Sequence, residues 1–165
     1  MKEIGIYIHI PYCKKKCHYC DFISFSGKEE TQNKYIEAIL KEISECTYTG
    51  FNIGTIYIGG GTPSIIDPAY ITKIIAKIRE KFIVSQNAEI TIEVNPGTVD
   101  REKLLEYKKS GINRLSIGLQ STDNAILKQI GRIHTYEQFK ETYDTARELG
   151  FDNINVDIML PFKSF

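Results

Sequence analysis

Cys13, Cys17 and Cys20 lie in the run Cys13-Lys-Lys-Lys-Cys17-His-Tyr-Cys20, close behind an apolar N-terminal stretch. Three thiolates within eight residues can hold three irons of a four-iron cluster and leave the fourth iron open. An open iron accepts a ligand and supports chemistry, whereas a fully ligated cluster mainly carries electrons. A structural zinc site draws on four protein ligands, often from two separated CxxC pairs. Here there is one CxxC, one CxxxC and no distant pair, and His18, between Cys17 and Cys20, is awkwardly placed to complete a tetrahedron. The iron–sulfur reading stands first, with zinc and unconnected thiols behind it. Cys46 stands alone on an expected helix and reads as a packed or surface thiol.

A second chemical signal is Gly59-Gly60-Gly61-Thr62-Pro63-Ser64, directly after the run Thr55-Ile56-Tyr57-Ile58. Missing Cβ atoms let a ligand approach the backbone closely. A plain strand-to-helix turn rarely needs three glycines, and without a Gly-Lys-Ser/Thr ending the run is not a phosphate loop. Glu93, Gln120, Arg132 and Asp157 follow near the ends of later elements. Each alone reads as a surface group or a helix-end partner. Together they are harder to dismiss, because a buried carboxylate needs a charged or hydrogen-bonding partner. A zwitterionic, hydroxyl-rich ligand supplies several. Tyr7 and His9 share one face of the first strand just ahead of the cysteines, which makes His9 a candidate catalytic group beside its plainer reading as a buried, satisfied histidine.

These groups need a scaffold, and alternating strand and helix signals supply it. The patterns predict strands over Ile4–Ile10, Gly54–Ile58, Glu89–Val94, Asn113–Leu119 and Asn153–Ile158. They predict helices over Lys34–Cys46, Pro68–Phe82, Arg101–Ser110, Asp123–Ile130 and Tyr136–Leu149. Asp67 can cap a helix opening at Pro68, Thr135 and Gln138 have capping-box spacing, and Gly111 and Gly150 suit left-handed helix ends. The βαβα order argues for an α/β fold with a parallel sheet and helices outside. One strand face is uniformly apolar, as in Ile90, Ile92 and Val94 or Leu115, Ile117 and Leu119. The other is polar and grows more so toward each C-terminal end. That pattern predicts a partial (β/α) barrel of about five strands, with a polar ligand at the C-terminal strand ends. An open doubly wound sheet is the alternative.

With 165 residues, 42% of them hydrophobic, the chain can build one sizeable core. Lys+Arg and Asp+Glu balance at 21 each, so no basic stripe points to nucleic acid and no acidic tail to a solvating arm. No stretch is long and apolar enough to span a membrane. Met1-Lys2-Glu3 runs into a strand without a signal-peptide pattern, so the expected compartment is the cytoplasm, where thiols stay reduced.

Tyr7-Ile-His9-Ile-Pro-Tyr-Cys13, the rest of the triplet, Gly59–Ser64, Thr91-Ile-Glu93-Val-Asn95-Pro96, Ser116-Ile-Gly-Leu-Gln120-Ser, Gly131-Arg132-Ile-His134 and Asn155-Val-Asp157 occur in that order. In this combination the chain, up to about Met159, resembles the radical S-adenosylmethionine (SAM) proteins of the oxygen-independent coproporphyrinogen III oxidase group. The resemblance implies that Cys13, Cys17 and Cys20 bind a [4Fe-4S] cluster whose open iron chelates the amino and carboxylate groups of SAM. It implies that Tyr7, Tyr19, Gly60, Gly61, Thr62, Glu93, Gln120, Arg132 and Asp157 contact SAM. An electron donor, reductive cleavage of the sulfonium and a 5′-deoxyadenosyl radical are implied with them, the cofactor carrying the chemistry.

Two departures from the family pattern matter. True oxidases of the group carry a further cysteine two residues after the third, where this chain has Phe22. Phe22 matches the sister branch of heme chaperones, which implies binding of heme or porphyrin and its transfer to a heme-accepting protein. Oxidase activity in porphyrin biosynthesis is the alternative, and an inactive fragment a further one. In the family a Gly-Leu-Pro-type turn and the last barrel units follow the Asn-x-Asp strand, whereas here the sequence runs Met159-Leu-Pro161-Phe-Lys-Ser-Phe165. Residues 1–165 are therefore expected to be the N-terminal part of a radical SAM core. The C-terminal barrel units would be absent and one strand edge left unpaired.

Overall fold

Isoleucine, leucine and valine at alternate positions make strands with one apolar face, and parallel pairing joins five of them into one sheet. They are β1 (Lys2–Ile10), β2 (Phe51–Gly60), β3 (Ile83–Val94), β4 (Arg114–Gln120) and β5 (Asn153–Ile158). The connections carry α1 (Glu29–Glu45), α2 (Pro68–Lys81), α3 (Arg101–Ser110), α4 (Asn124–Gln129) and α5 (Tyr136–Glu148). A single 3₁₀ turn, Pro63–Ile65, follows β2. The structure is a computed structural model, and it describes residues 2–25, 29–48 and 50–159, without the side chain of Glu29. The expected terminal run Leu160–Phe165 lies outside the described residues.

Strand order decides between the two sheet types foreseen. The order is β1-β2-β3-β4-β5, each strand beside its sequence neighbours. A doubly wound sheet reverses order at a switch point and carries helices on both faces. Strictly sequential strands with right-handed crossovers place every helix on one face, as in a (β/α) barrel wall. The apolar face lies against that helical layer. Ile10, Ile56, Ile58, Ile92, Leu115 and Ile117 are fully buried there, met by Ile71, Ile74, Ile75 and Ile78 of α2, with Ala146 of α5 in the same core.

Parallel register stacks the polar residues of the other face in rows. Tyr7 pairs with Tyr57, Tyr57 with Thr91, Thr91 with Arg114, and Arg114 with Asn153. Nearer the C-terminal ends His9 pairs with Gly59, Glu93 with Ser116, and Ser116 with Asn155. Gly118 pairs with Asp157, just before a register shift and the final pair of Gln120 with Ile158.

The expected caps are in place. Asp67 accepts from the Ala69 N–H, and Thr135 and Gln138 exchange both bonds of a capping box. Gly111 adopts the left-handed conformation at φ 99°. Element ends shift by a few residues. α1 begins at Glu29 and not Lys34, through polar residues that carry no apolar rhythm, and it ends at Glu45, just before Cys46. β2 runs from Phe51 through Gly60, and β3 starts at Ile83 and not Glu89, because Asn52 and Ile53 find partners in Ile83 and Val84.

Candidate functional site

The cysteine loop leaves the end of β1 and is fastened at both ends. Tyr12 is fully buried, packed edge-on against Phe25 and Tyr35, and its hydroxyl donates to the Thr31 carbonyl. The Cys13 N–H donates to the Phe25 carbonyl, and the Phe25 N–H to that of Pro11. The far side of the loop is held by α4. The His18 N–H donates to the Ile130 carbonyl at 3.1 Å, and His18 Nδ1 lies 2.9 Å from the Gln129 carbonyl oxygen. His18 is therefore committed to anchoring the loop.

The glycine turn passes beneath the cysteines. The Gly61 N–H donates to the Ile10 carbonyl at 2.9 Å and the Thr62 N–H to that of Tyr12 at 2.7 Å. The Thr62 hydroxyl donates to Cys13 Sγ at 3.5 Å. A Cβ on Gly61 would stand 2.7 Å from the Tyr12 carbonyl oxygen and 3.1 Å from Cys13 Sγ. Glycine here is what permits turn and loop to touch. Gly60 has φ 120°, and a Cβ on it would meet the His9 ring at 2.6 Å.

A cavity opens between this loop and the C-terminal strand ends. Its lining includes Cys13, Cys17, Tyr19, Cys20, Gly60, Gly61, Thr62, Glu93, Gln120, Arg132 and Asp157, all of them singled out from the sequence. Glu93 accepts from the Tyr57 hydroxyl at 2.9 Å and from the Gly60 N–H at 3.0 Å. Asp157 accepts from Ser116 at 3.3 Å and Asn155 at 2.8 Å. Arg132 Nη2 donates to Asn95 Oδ1 and the Gly118 carbonyl, both at 2.7 Å. Its Nη1 reaches Tyr19 Oη at 3.5 Å and Cys17 Sγ at 3.8 Å. Gln120 has φ 71°, a strained conformation outside glycine, found here at the strand end that meets the cavity. Burial pushes the Tyr57 and Tyr19 hydroxyls up to about 12, with the Glu93 charge adding to the effect on Tyr57 and Arg132 opposing it on Tyr19. Both stay protonated and available as donors.

Tyr7 and His9 stand off the cavity lining. Tyr7 is 57% exposed, its ring stacked on Tyr57, and its hydroxyl lies 3.0 Å from His9 Nδ1. His9 Nε2 lies 3.0 Å from the Ile23 carbonyl oxygen, so the ring braces the segment after the third cysteine. Asn95, Ser116, Gly118, Lys15 and Phe22 also line the cavity, although the sequence reading gave none of them a site role. For Asn95 and Ser116 the signal existed, since both fall on the polar side of the strand alternation.

The residues fit a cluster with a bound small ligand. All three triplet cysteines are free thiols, part-buried around one cavity. Among the described residues, no three His, Cys, Asp or Glu side chains converge as a single metal ion would require. A four-iron cluster gives each thiolate its own iron, so its sulfurs stand apart. Arg132 Nε is buried with no hydrogen-bond partner, a polar atom left over beside a cavity.

Known proteins of this kind are similar to the chain. A sequence profile of the Radical SAM superfamily matches residues 7–164. The heme chaperone HemW of Buchnera aphidicola subsp. Acyrthosiphon pisum is 42% identical over 99% of this chain and 45% of its own length. HemW of Escherichia coli is 38% identical over the same shares. The chain thus spans about half the length of these curated relatives. The structure of the Escherichia coli coproporphyrinogen III oxidase HemN, a radical SAM enzyme, superposes with a TM-score of 0.87 at 29% identity, covering 95% of this chain and 37% of that one. The five sequential parallel strands are thus part of a radical SAM barrel, the family's [4Fe-4S] cluster and SAM are implied for it, and the chain belongs to the radical SAM superfamily.

Proposed function

We propose that this chain forms the N-terminal part of the core of a cytoplasmic heme-chaperone-type radical SAM protein. In this reading Cys13, Cys17 and Cys20 hold a [4Fe-4S] cluster and SAM occupies the cavity beside it. Tyr7, Tyr19, Gly60, Gly61, Thr62, Glu93, Gln120, Arg132 and Asp157 form its binding set, and the protein binds heme for delivery to an acceptor. One observation carries it: three free thiols and a complementary ligand set line a single cavity, with Phe22 on the same wall. When bound, the cluster and SAM supply one-electron chemistry.

The chain's own residues bind and orient. Glu93 and Asp157 accept from N–H and hydroxyl groups, Arg132 donates to a carboxylate, and Gln120 does either. Gly60 and Gly61 line the cavity with backbone, and their missing side chains let the turn close against His9, Tyr12 and Cys13. The cysteine loop forms one wall of the cavity. An electron donor would have to reach the outside of that loop. Among the described residues no helix is long and apolar enough to cross a membrane.

The names of the HemW relatives support the chaperone branch, and so does Phe22 at the position where oxidases of the group carry cysteine. Likeness to HemN favours a second reading, coproporphyrinogen III oxidase. The deciding experiment is a heme titration beside an anaerobic coproporphyrinogen assay, on this chain and on a full-length relative. Heme binding without turnover supports the proposal, and turnover by the full-length protein refutes it. Anaerobic reconstitution with EPR tests the remaining possibility. A protein without a four-iron signal, or one whose signal ignores SAM, is an inert fragment.

A further inference from the structure

Asn95 and His134 lie in motif runs that the proposed cofactor chemistry leaves without a task, yet both sit directly behind Arg132. Asn95 follows β3 and is held by its backbone. Its N–H donates to Ser64 Oγ at 3.1 Å, and its carbonyl accepts from the Thr98 N–H at 3.1 Å and the Thr98 hydroxyl at 2.6 Å. Its side-chain Oδ1 accepts from Arg132 Nη2 at 2.7 Å. That atom has to be the oxygen, because an amide NH₂ there would set donor against donor beside a permanent cation.

The same oxygen lies 3.1 Å from His134 Nδ1, while His134 Nε2 lies 3.3 Å from the Leu119 carbonyl oxygen. Both ring nitrogens face acceptors. A neutral imidazole has one N–H to give, and the shorter contact places it on Nδ1, aimed at Asn95. The ring is 3% exposed. Burial, with Arg132 adding to it, pushes its pKa down to about 4, so it is neutral at ordinary pH. Asn95 Oδ1 is then gripped by two donors and cannot rotate away. Arg132 Nη2 is fixed between that oxygen and the Gly118 carbonyl, while Nε stays buried without a partner.

We propose that Asn95 and His134 are positioning residues for Arg132, holding its guanidinium pre-oriented for a carboxylate-bearing ligand in the cavity. This rests on the reading of the cavity as a SAM site. His134 touches no ligand in this scheme. Its Nδ1–H removes the rotational freedom of the Asn95 amide, and the amide removes that of the guanidinium. Pre-ordering of this kind raises affinity because less side-chain entropy is lost on binding.

The test is SAM affinity of the anaerobically reconstituted protein, read from the change SAM makes in the EPR signal of the reduced cluster. Iron content is measured alongside. His134→Leu and Asn95→Ser are expected to load iron normally and to bind SAM roughly tenfold more weakly. His134→Asn, whose amide nitrogen can stand where Nδ1 stands, is expected to bind within about threefold of wild type. Wild-type affinity in His134→Leu overturns the proposal. So does an equal loss in His134→Leu and His134→Asn, which would mean that only packing matters. If His134→Leu fails to load iron, His134→Asn against Asn95→Ser decides, and equal affinities overturn the proposal. A wild-type protein that loads its cluster but ignores SAM overturns the reading of the cavity and this proposal with it. Variants that match a SAM-binding wild type overturn the proposal alone.

Discussion

Gly61→Ala probes the joint where the glycine turn meets the backbone of the cysteine loop. The added Cβ would stand 2.7 Å from the Tyr12 carbonyl oxygen and 3.0 Å from the Tyr12 nitrogen. Both are backbone atoms and cannot rotate aside, and Tyr12 is locked by its fully buried ring. The turn must move away from the cysteine loop, stretching the bonds from Gly61 N to the Ile10 carbonyl and from Thr62 N to the Tyr12 carbonyl. Forcing a methyl into a packed joint costs about 1–3 kcal/mol, and each weakened bond about 0.5–1.5 kcal/mol. The expected loss is about 2–4 kcal/mol, or roughly 5–15 °C in melting temperature for a domain of this size. Urea titration of the cluster-free protein measures it, and iron content after reconstitution measures the effect on Cys13, whose sulfur would lie 3.1 Å from the new methyl. Gly50→Ala is the control. Gly50 has φ 82° but nothing within 4 Å of an added Cβ, so only the backbone penalty of about 1–2 kcal/mol applies and iron loading stays intact. A Gly61→Ala protein with wild-type stability and full iron would refute the account of how turn and loop meet.

Cys17→Ala should abolish the cluster signal while Cys46→Ala leaves it unchanged; equal loss from both would mean a different ligand set. Gln120→Val should cost about 2–3 kcal/mol, because a β-branched side chain resists φ 71°, whereas Gln120→Gly should be near neutral in stability and still weaken SAM binding. His134 gives a pH prediction. Its pKa is about 4 when folded, pushed down by burial and then by Arg132, against about 6.5 unfolded. The unfolded chain therefore takes up the proton first, and stability should fall by roughly 2–3 kcal/mol as pH drops from about 6.5 to 4. His134→Gln should flatten that part of the urea-midpoint profile, and an unchanged slope would mean that His134 is not buried neutral.

Local signals gave most of the architecture. Alternation along β1 and β4 separated the apolar face from the polar one, and Asp67, Thr135 and Gly111 marked helix ends through bonds made within a few residues. What stayed hidden depends on distant partners. Nothing in Phe51-Asn-Ile53 says strand until Lys2, Glu3 and Ile4 pair with it. Of the eleven lining residues named from the sequence, the cysteines came from their spacing, the glycine turn and Glu93, Gln120, Arg132 and Asp157 from residue type, and Tyr19 from the family resemblance alone. Asn95 was passed over although it shares the polar side with Glu93, since its value lies in Arg132, which is brought to it across 37 positions. Tyr7, a member of the proposed binding set, pairs with Tyr57 one row before His9 and Gly59, and its hydroxyl lies against His9. No periodicity in one strand reveals height within a barrel.

The anchoring of the cysteine loop to the end of α4 bears on how such a protein is made. His18 is held by Gln129, 111 residues later, and Cys17 meets Arg132 across 115. On the ribosome the thiols emerge first and their clamps last, an interval of roughly 6–23 seconds at ordinary synthesis rates. During that time the three sulfurs hang on a nascent chain with half of their housing unmade, open to oxidation and to stray metal. If the triplet holds the proposed cluster, loading is expected to follow synthesis of the segment through Arg132, which completes the housing of Cys17.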